Sequence, residues 1–375
     1  MSTETGTAGN GTEGGPAAVE PASRRARGRA TMKDVARLAG VGIKTVSRVV
    51  NRESGVSPAM AVRVEAAVRE LGYRPDAGAS ALRRADGRTS AIGVVVDDVA
   101  NPFFAALLRA VEEVAVRHGT VVLAGSADDD GSREREVAQA FTDRRVDGLI
   151  VAPSGSAVDE LGSEVDRGLP VVVVDRAVEA LRVDQVLSTN ELGAADAVSH
   201  LAAHGHRRIA FLGDRTSIPT ARERLAGYRQ ALAAAGLPVD ERLVAADLHG
   251  EASAEGAALA LFTGLPDGTW PTALFCAQNR VTIGVVRALR RLRLEDRVAV
   301  VGFDDFPLAD LLQPGVTVVA QDPTRVGTTA ATLLFARIDG RAEAPRTVWV
   351  PTTLLRRGSG EIRPDGAALS AAARG

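Results

Sequence analysis

Seven short apolar runs constrain the fold of this 375-residue chain more than any other feature. Segments of helical length, such as 103–117 and 221–234, separate them. The runs are "AIGVVV", "TVVLAG", "GLIVA", "PVVVVD", "RIAFLG", "TALFCA" and "VAVVGFDD". Strands that are apolar along their whole length are typical of parallel sheets covered by helices on both faces. The chain from residue 90 onward is therefore predicted to be α/β, with doubly wound parallel sheets.

Polar residues follow the carboxyl ends of these runs. They are Asp97, Asp98, Asn101, Asp175, Arg176, Asp214, Gln278, Asn279, Asp304 and Asp305. Ligands of open parallel sheets bind outside the carboxyl ends of the strands. We therefore expect these side chains to converge on one pocket.

The stretch "KDVARLAGVGIKTVSRVVN", residues 33–51, has a different pattern. Met32, Val35, Ala36 and Ala39 have helical spacing, and Gly40 can end that helix with a positive φ. A second helix is predicted to bury Val46, Val49 and Val50. A third, after Pro58, is predicted to bury Val62, Ala66 and Leu71. An Ala-x-x-x-Gly step at such a corner is typical of a helix-turn-helix, whose second helix enters the major groove of DNA.

The charge of this region supports a nucleic-acid partner. Residues 23–90 contain 15 basic and 6 acidic residues, although the whole chain has a formal net charge of -2. Lys44 and Arg48 are expected to face outward on the second helix, beside the small polar Thr45 and Ser47. A scaffold that packs on a protein partner is the alternative, and the exposed basic residues favour DNA.

The stretches "TMKDVARLAGVGIKTVSRVVN" and "VSPAMAVRVEAAVRELGYRPDAGASALR" resemble the amino-terminal headpiece of the LacI/GalR family of bacterial transcriptional regulators. The resemblance implies a homodimer bound to double-stranded operator DNA, with a hinge helix in the minor groove. The DNA-binding residues that it implies are Ile43, Lys44, Thr45, Ser47, Arg48, Asn51 and Tyr73 in the headpiece, and Ala79 and Leu82 in the hinge. Leu82 would wedge between central base pairs.

The later segments "IGVVVDDVANPFF", "STNELGAADAVSHLAAHGHRRIAFLGD", "ARERLAGY" and "VAVVGFDD" resemble the periplasmic-binding-protein-like core of the same family. This implies two subdomains, about 90–187 with 321–349 and about 188–320, that hold a small sugar-like effector between them. The effector-binding residues that it implies are Phe103, Phe104, Asp175, Arg176, Arg224, Gln278, Asp304 and Gln321. Whether the effector induces or corepresses stays open, as does dimer against tetramer, with a dimer favoured.

We predict five regions. They are a disordered tail (1–29), a helix-turn-helix domain (30–75), a hinge helix and linker (76–89), an effector-binding and dimerisation core (90–357) and a flexible tail (358–375). The Gly-rich start has no export signal, and no stretch is long enough to span a membrane, so a cytoplasmic location is expected.

Two other classes of protein share this kind of core. A solute-binding protein would need an export signal and would have no basic headpiece. A sugar-modifying enzyme would need a phosphate loop, a nucleophile elbow or a paired-carboxylate site, and the sequence contains none that can be defended. His200, His204 and His206 are the nearest approach to a metal cluster, and we predict neither a metal, a cofactor nor a catalytic residue.

Overall fold

The computed structural model describes residues 30–51, 53–74, 88–154, 158–266 and 268–364. The chain divides into two compact units, with the boundary after Arg83. The predicted hinge, with Ala79 and Leu82, lies outside the described residues, as does the predicted tail of residues 1–29.

The first unit contains three helices, α1 (Met32–Ala39), α2 (Ile43–Val50) and α3 (Pro58–Leu71). Thr31 and Asp34 form a capping box at the start of α1. Gly40 ends α1 with a φ of 62°, in the left-handed region where residues with a Cβ are strained. The tight corner between α1 and α2 therefore depends on glycine, as the sequence predicted.

The buried face of α3 differs from the prediction. Val64 and Ala67 are buried, whereas Val62, Ala66 and Leu71 are exposed, with 63% of Val62 accessible to solvent. Residues two apart lie on nearly opposite sides of a helix, and α3 has small apolar residues on both sides. Arg63, next to Val64, donates to the carbonyl oxygens of Ala39 and Gly40, which α1 cannot satisfy itself. This contact and the packing against α1 decide the orientation of α3.

The second unit begins with a parallel six-stranded sheet in the order β11-β5-β4-β3-β1-β2. Its strands are β1 (Ala91–Val96), β2 (Val121–Ser126), β3 (Leu149–Val151), β4 (Val171–Val174), β5 (Asp184–Ser188) and β11 (Thr347–Val350). The intervening helices are α4 (Pro102–Arg117), α5 (Gly131–Asp143) and α6 (Val158–Asp166). Late in the chain, α11 (Pro323–Ile338) returns to pack against α4.

A second six-stranded sheet has the order β12-β10-β9-β8-β6-β7, parallel except for the pairing of β12 with β10. Its strands are β6 (Ile209–Leu212), β7 (Val244–Ala245), β8 (Ala273–Cys276), β9 (Ala299–Phe303), β10 (Thr317–Ala320) and β12 (Thr353–Leu355). Its helices are α7 (Asn190–Ala203), α8 (Pro219–Ala234), α9 (Glu251–Thr263) and α10 (Asn279–Leu292). Within the described residues, the chain passes between the two sheets near residues 189, 321 and 351.

The seven apolar runs all form strands, but the chain has further strands that the runs do not include. These are β5, β7, β10, β11 and β12, which are short or contain polar residues such as those of "DQVLS". They lie at or near the sheet edges or beside the crossings between the sheets. Periodicity alone does not distinguish such segments from loops.

Residues near two of the predicted boundaries, in the linker and in the C-terminal tail, contact the core. Thr89 donates from its backbone and hydroxyl to Asp147, so the core begins before residue 90. The predicted flexible tail includes a 3₁₀ turn at Ser359–Glu361, and Ser359 is only 4% exposed. The Ser359 hydroxyl donates to the Val300 carbonyl, which fixes this segment against the second sheet. Residues 365–375 lie outside the described part of the chain.

Candidate functional site

The outward side of α2 is a candidate nucleic-acid interface. Val46 is fully buried, which turns the opposite side of α2 to solvent. Ile43 is 46% exposed and Lys44 is exposed, while Thr45, Ser47 and Arg48 are half-buried at the edge of this surface. The free N–H groups and the dipole at the start of α2 favour an anion, and its first turn contains no acidic residue. This end of α2 is suited to a phosphate backbone and to base edges.

Asn51, immediately after α2, stabilises the end of this helix. Its Nδ2 donates to the hydroxyl of Ser47 at 3.4 Å and to Oε1 of Glu53 at 3.2 Å. Tyr73 does not join the exposed surface, because it is 8% exposed and packs with Val35, Val46 and Val64 in the core of the first unit. It therefore contributes to the packing of the three helices, and its role in DNA binding stays a prediction.

The second unit holds a cleft between its two sheets. All eight residues predicted to bind an effector line it, namely Phe103, Phe104, Asp175, Arg176, Arg224, Gln278, Asp304 and Gln321. Asp175 and Asp304 directly follow β4 and β9, and their φ values are 65° and 68°. A left-handed backbone is strained for a residue with a Cβ. Both turns therefore position these carboxylates at some expense in conformational energy. About 40 Å³ remains free between the lining side chains.

Arg224, on α8, lies at the centre of the cleft and is 5% exposed. Its Nε donates to Asn190 at 3.0 Å, and its Nη1 donates to the carbonyl of Ala277 at 2.8 Å and to Asp304 at 3.3 Å. The guanidinium carbon stands 3.9 Å above the ring centroid of Phe303, a cation–π contact. Four groups from three segments therefore fix its orientation.

The close packing of α8 on α7 places Arg224 there. Gly227, one turn further along α8, has no room for a side chain, since a Cβ would lie 2.2 Å from the carbonyl oxygen of Glu191. This approach brings Arg224 within reach of Asn190, which also donates to Glu223 at 2.9 Å. Asn190 was not predicted as a site residue.

Two amide side chains connect the remaining groups of this half. Gln321 donates to Asp304 at 2.6 Å, and Gln278 donates to Asp214 at 2.9 Å. Asp214, noted as a strand-end residue but not assigned to the site, therefore belongs to the cleft. Asp305 does not, because it forms a bidentate pair with Arg357 at 2.6 and 2.7 Å.

Arg176 organises the carboxylates of the other half. Its guanidinium contacts Asp129 and lies 3.6 Å from Asp175 and 3.9 Å from Asp97. The neighbouring carboxylates raise its pKa against the effect of burial, so it stays charged. Asp129 lies between β2 and α5 and was not among the strand-end residues noted in the sequence.

Aromatic side chains form the wall of the cleft. Phe103 and Phe104 are buried and pack edge to face, with ring centroids 5.1 Å apart. Across the cleft, Asn279 at the start of α10 donates to Asn101 at 3.0 Å, which joins the two halves directly. Asn101 also accepts from the backbone of Phe103 and so fixes the start of α4.

The three histidines noted in the sequence have other partners. His206 lies 2.9 Å from the hydroxyl of Thr272 and 2.8 Å from the carbonyl of Ile362, and His200 lies 2.8 Å from Glu361. These contacts secure the end of the described chain. Cys276 is fully buried in β8, and burial raises the pKa of its thiol, as expected of a packing residue.

Asp97 is expected to destabilise the protein at neutral pH. Burial, and then the nearby Asp129, raise its pKa to about 6 from 3.8, which Arg176 only partly offsets. A carboxyl whose folded-state pKa is raised binds its proton more tightly in the folded state. The free energy of unfolding therefore falls as pH rises from about 4 to about 6. Asp97→Asn should raise it by about 1 to 3 kcal/mol near neutral pH and leave it unchanged below about pH 4.

Urea unfolding of both proteins, near neutral pH and below about pH 4, measures this difference in the free energy of unfolding. Asp166→Asn, at an exposed position at the end of α6, is the control and should have no effect at either pH. A stabilisation of equal size at both pH values would show that packing of the amide, and not the charge of Asp97, is responsible.

Comparisons with known proteins give the following matches. Residues 31–76 match the model described as bacterial regulatory proteins, lacI family, and residues 198–360 match a periplasmic binding protein-like domain. The HTH-type transcriptional repressor PurR of Vibrio campbellii is 34% identical over 321 residues, covering 84% of this chain and 94% of that protein.

Solved structures agree in fold. The complex of the transcriptional regulator CelR with cellobiose is 32% identical with a TM-score of 0.64, covering 88% of this chain and 100% of that one. The lac repressor dimer bound to operator and the anti-inducer ONPF is 26% identical with a TM-score of 0.76, covering 89% and 99%. None of the described helices is long and apolar enough to cross a bilayer.

Proposed function

This chain belongs to the lacI family of bacterial regulatory proteins, and on that premise we propose that it binds a pseudopalindromic operator as a homodimer under the control of a small polar effector. It is a DNA-binding transcriptional regulator and not an enzyme. In this proposal α2 reads bases, with Ile43, Lys44 and Arg48 at the reading positions and Thr45, Ser47 and Asn51 supporting or contacting phosphate.

A homodimer fits a recognition helix of this size. One α2 helix of eight residues presents only three or four side chains to DNA. Two copies related by a two-fold axis, about 34 to 36 Å apart, double that set on successive turns of the major groove. The protein would act in the cytoplasm, where the chromosome is, and residues 76–84 would form the hinge that contacts the minor groove through Ala79 and Leu82.

The observation that carries the effector half of the proposal is the arrangement of the cleft. Donors and acceptors from both sheets face each other there, and Arg224, Asp304 and Gln321 form a connected set suited to hydroxyl groups. Bound effector would hold the two sheets at a fixed angle. That angle would alter the pairing of two protomers and so the affinity for DNA. The coupling between effector binding and DNA binding would be about 1 to 3 kcal/mol, and it is reciprocal, since each ligand changes the affinity for the other by the same factor.

Selection from a library of random palindromic duplexes tests the DNA half. The full-length protein should enrich one two-fold symmetric site, and the logarithm of its affinity should fall with the logarithm of salt concentration by about 0.9 per phosphate contacted. Enrichment of an asymmetric half-site would contradict the dimer. Equal affinity for every duplex, with or without small polar metabolites, would contradict the whole proposal.

A further inference from the structure

The cleft contains more negative charge than its own cations balance. Among the described residues at this site, the carboxylates are those of Asp97, Asp129, Asp175, Asp214 and Asp304, and the guanidinium groups are those of Arg176 and Arg224. Arg224 pairs with Asp304, and Arg176 lies among Asp97, Asp129 and Asp175. Buried charge without a counter-charge is costly, so this excess calls for a positive partner.

The excess is concentrated at one end of the cleft. Asp129, Asp214 and His249 each place a polar side-chain atom within 4.8 Å of the others. Asp214 is 6% exposed and accepts from two neutral donors, the Gln278 amide at 2.9 Å and the Arg215 backbone at 2.7 Å. Its nearest ionisable donor is His249, which lies 3.3 Å away and is partly exposed. We call Asp97, Asp129 and Asp214 the acidic end of the cleft.

Unpartnered buried atoms give a second, independent observation. In the part of the chain that the structure describes, Oδ1 of Asp97 and Oδ2 of Asp129 are buried without a hydrogen-bond partner. Asp97 is 9% exposed, and the side chain of Asp129 is 5% exposed. The amide oxygens of Gln278 and Gln321, in the same cleft, also lack a donor. Acceptors without donors predominate, so a ligand that satisfies the cleft must be rich in donors.

We propose that the effector is a small polyhydroxylated molecule with a protonated amine, an amino sugar or amino polyol, whose ammonium group binds at the acidic end. This inference rests on the proposed function of the cleft as the effector site. An ammonium group has three donors, which match Oδ1 of Asp97, Oδ2 of Asp129 and the carboxylate of Asp214. The hydroxyl groups would then bind Arg224, Asp304 and Gln321.

A neutral sugar fits these groups less well. It would supply donors but leave the carboxylates of the acidic end without a counter-charge. A bare divalent cation fits less well too, because it could occupy the acidic end but would leave the connected set of Arg224, Asp304 and Gln321 without a ligand. Metal binding is therefore an outcome that the experiment must detect.

Matched sets of compounds test the proposal on the full-length protein. Each set contains a neutral parent compound, the corresponding amine and the N-acetyl form of that amine. The neutral parents are glucose, galactose and sorbitol. Calorimetric titration in the presence of a chelator should show at least one amine that binds about tenfold or more tightly than both neutral members of its set. Equal or tighter binding by the neutral members, or no binding by any amine, overturns the proposal.

Variants then locate the amine. Asp214→Asn should weaken the preferred amine by about tenfold or more and change the affinity of its neutral parent by less than about threefold. Asp97→Asn should act in the same direction, so the test does not depend on the folding of one variant. Asp166→Asn, at the exposed end of α6, should leave both affinities unchanged. Equal losses for amine and parent in both cleft variants would refute the assignment of the ammonium.

Two further experiments distinguish failure of the amine proposal from failure of the proposed effector site. Titration of Ca²⁺, Mn²⁺ and Zn²⁺ alone should show no binding that Asp214→Asn removes, and such binding would replace the amine with a metal. If only neutral compounds bind and Arg224→Ala abolishes that binding, the amine proposal fails but the effector site stands. If Arg224→Ala leaves the binding of every compound unchanged, the proposed function of the cleft fails as well.

Discussion

Arg48→Ala is expected to weaken binding to the selected operator by about 30-fold to 20,000-fold. A bidentate contact of arginine with guanine contributes about 1 to 3 kcal/mol, and a two-fold symmetric dimer makes that contact twice. Arg48 is half-buried on α2, at the edge of its exposed surface. Fluorescence anisotropy with the operator and with a duplex altered at each base pair measures both affinity and base preference.

Arg69→Ala is the matched control, because it removes the same charge from an exposed position on α3. It should lower affinity for all duplexes slightly and leave the base preference unchanged. If Arg48→Ala weakens every duplex to the same extent, Arg48 contacts phosphate and does not read bases. If it changes neither quantity, α2 is not the recognition helix.

Arg224→Ala is expected to abolish the response to effector, with a loss of effector affinity of more than about 100-fold. A hydrogen bond to a charged group contributes about 1.5 to 3 kcal/mol, and the planar guanidinium can make more than one to vicinal hydroxyls. Its bonds to Asn190, Ala277 and Asp304 hold it in place before the ligand binds, so little of that energy is spent on ordering it. Operator affinity without effector should change by less than about threefold, since α2 belongs to the other unit.

Removal of Arg224 also leaves the buried Asp304 without its partner, which costs about 3 to 5 kcal/mol of stability. Arg224→Lys keeps the charge, loses the planar fork and should give an intermediate effector affinity. The control is Arg229→Ala on the same helix, whose guanidinium pairs with Glu241 at the surface. A normal effector response by folded Arg224→Ala protein would show that the effector binds elsewhere.

In the first unit, the local sequence pattern predicted the helices and their corner but not how the helices pack. Gly40, the helices on both sides of it and the buried Val46 were predicted from spacing alone, because capping and turn formation are local. The buried face of α3 was not predicted correctly, and the burial of Tyr73 was not predicted at all. Both depend on how three short helices pack, and α3 has apolar residues on two sides.

In the cleft, too, some residues were predicted from the local sequence pattern and others were not. Asp175, Gln278 and Asp304 were predicted because they follow apolar strands, and the carboxyl ends of parallel strands share one edge of a sheet. The resemblance to a known family added Arg224 and Gln321, which lie on a helix and after a strand that no run marks. Asn190 and His249 were missed because they follow β5 and β7, strands that no apolar run marks. Asp129 follows β2 within the run Asp128–Asp130, and the pattern does not show which of these three carboxylates enters the cleft.

The sequence by itself determined the helix-turn-helix corner, the parallel α/β class and the strand-end residues Asp175, Gln278 and Asp304, because each depends on local spacing or on strand polarity. Only the tertiary structure decided which carboxylates pair with arginines and which are left without a cation. That outcome depends on distances of a few ångströms between segments far apart in the chain, such as Arg176 with Asp129 and Arg224 with Asp304. Coulomb energies in a buried site change steeply over such distances, and no pattern of residue types encodes them.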